Sequence, residues 1–182
     1  MTTTTTTTTD TNVFGQIFKK MRGGAQAPPR PSLRHIGISW LGGALAIAAV
    51  ALATDMTGSP LVLGSFGATC VLVFGFPESP FSQPRNVIGG HFLASLIGLI
   101  FLTVFGAHWW SIALAAGTAI AAMQLTRTVH PPAGSNPVIV MLTAPGWSFL
   151  ATPTLLGALI LVLVAIAFNN TPKDREYPRY WM

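Results

Sequence analysis

The 182 residues are 51% hydrophobic and 8% charged, against about a quarter charged in ordinary soluble domains, and the mean hydropathy is +0.56. Between Ile36 and Phe168 only Asp55, Glu78, Arg85 and Arg127 carry charge, which excludes a soluble globular fold with a polar surface. The net charge of +5 comes from basic residues flanking the apolar part, Lys19, Lys20, Arg22, Arg30 and Arg34 before it and Lys173, Arg175 and Arg179 after it, a placement that suits anionic lipid rather than nucleic acid.

Residues 1–12 are a threonine tract with neither a basic start nor an apolar core, so they do not read as a cleaved signal peptide and are expected to be disordered. In residues 13–22, Phe14, Ile17, Phe18 and Met21 fall at helical spacing, with Lys19, Lys20 and Arg22 on the other face. That pattern fits a short helix lying on the membrane surface, or a frayed tail. Residues 23–31, with three prolines and two glycines, read as a linker.

Six apolar runs follow. Residues 36–54 match the ~20 residues that span a bilayer core at 1.5 Å each, and Gly42-Gly43 with several alanines allows close helix packing. Residues 60–76 are shorter and interrupted at Gly64-Ser65-Phe66-Gly67-Ala68-Thr69. Residues 86–105 and 111–126 are the third and fourth runs. Residues 131–147 are interrupted at Gly134-Ser135-Asn136-Pro137, and residues 153–168 close the series. The fold expected is an all-α polytopic membrane protein of about six segments, four long helices plus two short broken ones. Its domains are a tail over 1–32, a membrane domain over 33–170 and a cytoplasmic tail over 171–182.

With all six runs crossing and the basic N-terminus inside, Arg85, Arg127 and the basic C-terminus all fall on internal loops. Four crossings with two re-entrant dips would put Arg85 and Arg127 outside, so the positive-inside rule favours six. Both termini are then cytoplasmic. A shift of 67 residues lays Gly67 on Gly134, Val71-Leu72-Val73 on Val138-Ile139-Val140 and Gly90 on Gly157. Three crossings per half would make this an inverted repeat, the arrangement of many transporters, with substrate held where broken segments meet.

His130-Pro131-Pro132 must leave regular helix, because proline donates no N–H and disfavours helix in the residue before it. At membrane depth such a break has to be buried in protein or line a cavity. Helix is expected to restart near Gly67 in the second segment and near Ala133 or Gly134 in the fifth, with both new N-termini at the midplane and suited to an anion. The substrate-binding residues expected are Ser65, Phe66, Gly67, Ala68, Thr69, His130, Ala133, Gly134, Ser135 and Asn136. Arg85 and Arg127 read as steering charges or as anchors at the interface, and His91 as an intramembrane residue facing protein or cavity. His130 reads either as a substrate or proton ligand or as a structural cap.

The stretch Arg127-Thr128 through His130-Pro131-Pro132-Ala133-Gly134 to Ser135-Asn136-Pro137 resembles the signature of the HPP family of integral membrane proteins. Gly64-Ser65-Phe66-Gly67-Ala68, Gln83-Pro84-Arg85-Asn86 and Gly89-Gly90-His91 are similar to its other shared stretches, and the likeness covers roughly residues 33 to 170. The resemblance implies a bacterial plasma-membrane protein, with a plastid envelope as the alternative. It also implies transport of nitrite, since members are implicated in nitrite movement. The family is usually described with four transmembrane helices, fewer than the segments read here.

The expected function is therefore a transporter or channel for a small inorganic anion, nitrite first, in a lipid bilayer and as a homo-oligomer, with no nucleic acid, cofactor or metal. The alternatives are a structural or assembly subunit and an intramembrane enzyme. The enzyme reading lacks a nucleophile elbow, paired intramembrane carboxylates and metal-ligand spacing, so no catalytic residue is assigned. The lone Cys70 allows no internal disulfide.

Overall fold

The structure, a computed structural model, describes residues 13–181, so the threonine tract expected to be disordered lies outside the described residues. The chain divides after Pro31 into two units. The first contains helix α1 (Val13–Met21), which exposes Phe14, Ile17, Phe18 and Met21. The helix alternative for this stretch is the one observed.

The second unit holds α2 (Leu33–Thr57), α3 (Gly64–Gly75), α4 (Pro84–Phe105), α5 (Trp109–Leu125), α6 (Asn136–Thr143) and α7 (Leu156–Asn169). α2, α4 and the kinked run Trp147–Asn169 ending in α7 are long and apolar enough to cross a membrane. The α3 and α5 helices are shorter apolar helices, and α6 has only 8 residues. Among the described residues of this unit the fold is thus an all-helical polytopic membrane architecture with three long spans and three shorter helices; α5, expected as a fourth long helix, is one of the shorter ones.

Local chemistry sets the boundaries. Ser32 caps α2 by accepting from the His35 N–H at 3.2 Å, and Gly58, at φ +67°, ends it with its N–H on Thr54 O. The chain stays non-helical from Pro60 to Leu63, and the Leu61 N–H finds Thr54 Oγ1 at 3.1 Å instead of a helical carbonyl. Before α7, Thr152 is extended (φ −134°, ψ 121°), as the residue ahead of Pro153 prefers, and the run bends there.

Charged ends gather on one face. Arg34, at the start of α2, pairs with Asp174 at 2.8 Å, and Arg175 reaches Phe74 O at the end of α3 and His35 Nδ1. The Arg179 N–H donates to Gln83 Oε1 beside the start of α4, and Arg85 donates to Thr126 O just past α5. The chain therefore returns to this face after every second segment. Residues 171–181 belong to the same unit, where the buried Tyr177 hydroxyl donates to Ser82 O at 2.8 Å.

Close packing follows the 67-residue register. A Cβ at Gly90 would lie 2.9 Å from Thr128 O, and one at Gly157 would lie 3.0 Å from Leu61 O. The shift that carries Gly90 to Gly157 carries Leu61 to Thr128, so one contact occurs twice with the halves exchanged. The helix pairs match too: α2 packs on α3 and α7, while α5 packs on α6 and α4.

Two outcomes are expected. In a Cys70→Ala background, single cysteines at Glu78, Arg127 and Lys173 should label from one side of the membrane, and cysteines at Asp55 and Gly146 from the other. Gly90→Val and Gly157→Val should each lower thermal stability in detergent by at least about 1–3 kcal/mol through overpacking. Gly117→Ala, where an added Cβ meets nothing within 4 Å, should be neutral or slightly stabilising.

Candidate functional site

Two short helices start inside the bundle. The α3 helix runs antiparallel to α2: Ser39 Oγ donates to Phe74 O at 2.9 Å, Gly43 faces Cys70, and Leu61 meets Thr54. This pairing sets Thr69 level with the middle of α2. The α3 helix has 12 residues, about 18 Å against the ~30 Å hydrocarbon thickness, and is preceded by the non-helical residues 58–63. In the other half, His130 is extended (φ −133°, ψ 98°), as Pro131 requires. A 3-10 turn over Pro131–Ser135 then leads into α6. Gly64 and Pro131, where the two irregular segments turn helical, are again 67 residues apart.

Between these helices lies a buried polar network. Thr69 Oγ1 is 2.9 Å from His91 Nε2 and 2.9 Å from His130 Nε2. His130 Nδ1 is 2.7 Å from Phe81 O, and His91 Nδ1 is 3.1 Å from Asn136 Nδ2. Asn136 Nδ2 also donates to Ser95 Oγ at 2.9 Å, and Thr154 Oγ1 donates to Ser95 at 3.1 Å. Thr69, His91, Ser95, His130, Asn136 and Thr154 are all buried. Phe66 packs edge-on against the His91 ring, with centroids 5.1 Å apart, and the two imidazoles are 5.0 Å apart.

The Phe81 carbonyl can only accept, so His130 carries its proton on Nδ1. The Asn136 amide nitrogen can only donate, so His91 accepts on Nδ1 and carries its proton on Nε2. Thr69 then accepts from His91 and donates to His130. Among the described residues, three buried side-chain atoms have no hydrogen-bond partner: Ser65 Oγ, Asn86 Oδ1 and Asn136 Oδ1. Unpaired polar groups cost about 1–3 kcal/mol each, so such atoms mark places where water or a ligand gains most by binding.

Of the residues expected from sequence, Ser65, Phe66, Thr69, His91, His130 and Asn136 are brought together. Gly67, Ala68 and Ser135 are exposed, Ser135 Oγ turns back to Pro132 O, and nothing lies within 4 Å of an added Cβ at Gly67 or Gly134. The expected restart points also move. The α3 helix begins at Gly64, so Gly64 to Phe66 are its first turn. The Ala133 N–H is already spent on His130 O, and the Asn136 N–H on Ala133 O. Arg85 and exposed Arg127 sit at the charged face, away from the network. Ser95 and Thr154 were not anticipated. Ser95 lies one helical turn after His91, a spacing that would have revealed it; Thr154 carries no such signal.

A cavity of about 630 Å³ opens beside the start of α3, lined by Leu63, Gly64, Ile139, Thr143, Ser148 and Pro153 among others. No side chain caps α3 at Leu63. In its first turn the Phe66 N–H bonds Leu63 O at 3.0 Å, while Gly64, one residue before Ser65, borders the open space.

The family described as HPP, transmembrane region, matches residues 28–178. The chain belongs to the HPP family. Two proteins of Dictyostelium discoideum, each named only as a transmembrane protein, are 37% identical over 180 residues and 39% identical over 181. Those alignments cover 92% and 91% of this HPP chain but 58% and 63% of the relatives, so it spans about three-fifths of their length. No solved structure matches.

Asn136→Leu should leave His91 Nδ1 without its donor and Ser95 with Thr154 alone, and lower thermal stability by about 1–3 kcal/mol. Exposed Ser135→Ala should shift it by less than about 0.5 kcal/mol. Melting of the purified protein in detergent, followed by monodisperse elution after heating, reads both.

Proposed function

We propose that this HPP protein is a transporter or channel for a small inorganic anion, nitrite first, and that it works without covalent chemistry. The observation that carries the reading is the uncapped start of α3 at Leu63 and Gly64, which borders the 630 Å³ cavity and leads within one turn to the buried network with its unpaired Ser65 and Asn136 oxygens. Helix N-termini attract anions through free N–H groups and the dipole, worth about 0.3–2 kcal/mol before direct hydrogen bonds. Irregular backbone inside an apolar bundle has to be buried in protein or line a cavity, and Gly64 at the start of α3 lines one. Nitrite, a small planar monovalent acceptor, suits N–H and O–H donors of this kind, and the likeness of the histidine-proline stretch to nitrite-moving members adds to that choice.

On this reading the charged face with Arg34, Arg85, Arg127 and Arg175 is cytoplasmic and steers the anion, and the chain self-associates in a bacterial plasma membrane. Vesicles carrying the purified protein should take up nitrite faster than protein-free vesicles. Gly64→Trp should bring uptake down to the protein-free rate by filling the cavity mouth, whereas Gly67→Trp, on the exposed side of α3, should leave it within about twofold, as expected away from such features. Equal loss in both variants, or uptake no faster than in protein-free vesicles, would sink the anion path.

A further inference from the structure

The hydrogen accounting of the network leaves one place for an additional proton. In the neutral state described above the donors around the two imidazoles are directed: Asn136 to His91, His91 to Thr69, Thr69 to His130, and His130 to Phe81 O. Thr69 Oγ1 has a second acceptor within reach, the Ser65 carbonyl at 3.1 Å. If a proton arrives on His130 Nε2, the Thr69 hydroxyl can turn its hydrogen to Ser65 O and accept from both imidazoles. All donors are again matched. A second proton finds no such place, because the one bare nitrogen left is His91 Nδ1, which faces the Asn136 amide N–H.

We propose that His130, Thr69 and His91 form a single-proton binding site, and that it couples the anion's movement to that of a proton. The site stands on the hydrogen bonds alone; the coupling rests on the anion reading. No fixed charge is bonded to the network. Of the titratable groups on the elements around it, α3 brings Cys70, packed toward Gly43 of α2. The α4 helix brings Arg85, spent on Thr126 O, and the loop before it Glu78, exposed at the charged face. Arg127 is exposed after α5. The α2 helix brings Arg34 and His35 at the charged face and Asp55 near its far end, and α5, α6 and α7 bring none.

An imidazolium in this setting has no carboxylate to balance it, and an unpaired charge inside an apolar bundle is costly. A monovalent anion near Ser65 supplies the balance. Ser65 is well placed for this: its carbonyl is the acceptor that Thr69 turns to, its Oγ has no partner, and the preceding Gly64 lines the cavity. Anion and proton then favour each other reciprocally, and the pair moves without net charge. At His130 the proton adds to the Nε2 lone pair and leaves by the same bond, so nothing is oxidised or reduced.

The test uses the full chain in vesicles with the membrane potential held at zero by potassium and valinomycin, and protein-free vesicles subtracted. A one-unit pH gradient, acid outside, should drive nitrite to about a tenfold accumulation, the ratio one proton per anion allows. Thr69→Val should lose the pH drive and Thr69→Ser should regain it, a pattern that a purely structural threonine would not give. Nitrite flux indifferent to the gradient would overturn the coupling and leave the anion path standing, as would equal pH drive in both variants. Histidine ¹⁵N spectra of the unaltered protein test the site apart from transport. At neutral pH they should show His130 protonated on Nδ1 and His91 on Nε2, and on acidification one imidazolium well before the second. The opposite tautomers, or simultaneous titration of both rings, would overturn the proton site. The expected spectra with no anion flux at all would uphold the site and remove the anion reading with its coupling.

Discussion

Both ring nitrogens of His91 are committed, Nε2 to Thr69 on α3 and Nδ1 to Asn136 on α6. These two partners occupy the same place in the two halves, since Thr69 and Asn136 are 67 residues apart. One side chain from α4 therefore ties two interrupted segments together where neither is long enough to span by itself. Lipid offers no hydrogen bonds, so a short helix with irregular backbone persists at depth only if protein groups meet its polar atoms. His91 has no counterpart in the second half, where the register puts Ala158. The network is asymmetric even though the frame around it repeats.

That frame depends on absent side chains as much as on present ones. At Gly90 the missing Cβ lets His130 and the Thr128 carbonyl approach α4, and at Gly157 it admits the Phe66 ring and the Leu61 carbonyl. These approaches bring His130 and Phe66 onto His91 from opposite halves. The far side of His130 is set by the turn Pro80–Ser82, through the Phe81 carbonyl. The next carbonyl, that of Ser82, accepts from the Tyr177 hydroxyl, and Gln83 holds Pro77 O, Ser79 O and the Arg179 N–H. The C-terminal strand of backbone thus reaches the histidine through one turn, which ties the charged face to the buried network.

The apolar runs, their number and the two breaks were legible because hydrophobic length and proline chemistry are local properties. The 67-residue register was legible because small residues must recur where helices touch, as the exchanged Gly90 and Gly157 contacts show. The point of helix restart was not. Gly67 and Gly134 look like places for a ligand in sequence, yet helix starts earlier at Gly64 and, after a 3-10 turn, later at Asn136. Glycine tolerates many backbone shapes and so does not fix a boundary, whereas Pro60 and Pro131 force extended residues upstream. Thr154 stayed hidden because a lone hydroxyl in an apolar helix can bond its own backbone, and only tertiary placement shows that it meets Ser95, which itself shares a helix face with His91.

A buried site without fixed charge has a specific consequence for a solute that must leave again. A resident guanidinium would hold an anion strongly inside a low-dielectric bundle, and release would be slow. Here the arginines stay at the charged face, where Arg85 and Arg175 are occupied by carbonyl oxygens, and the interior offers hydroxyls, an amide and imidazoles that are neutral in the described hydrogen-bond pattern. Passage requires binding favourable enough to enter and weak enough to exit. On the proposed anion path, donors that become charged only when a proton is added would meet both conditions at different moments, so that the same few residues attract the solute in one protonation state and let it go in the other.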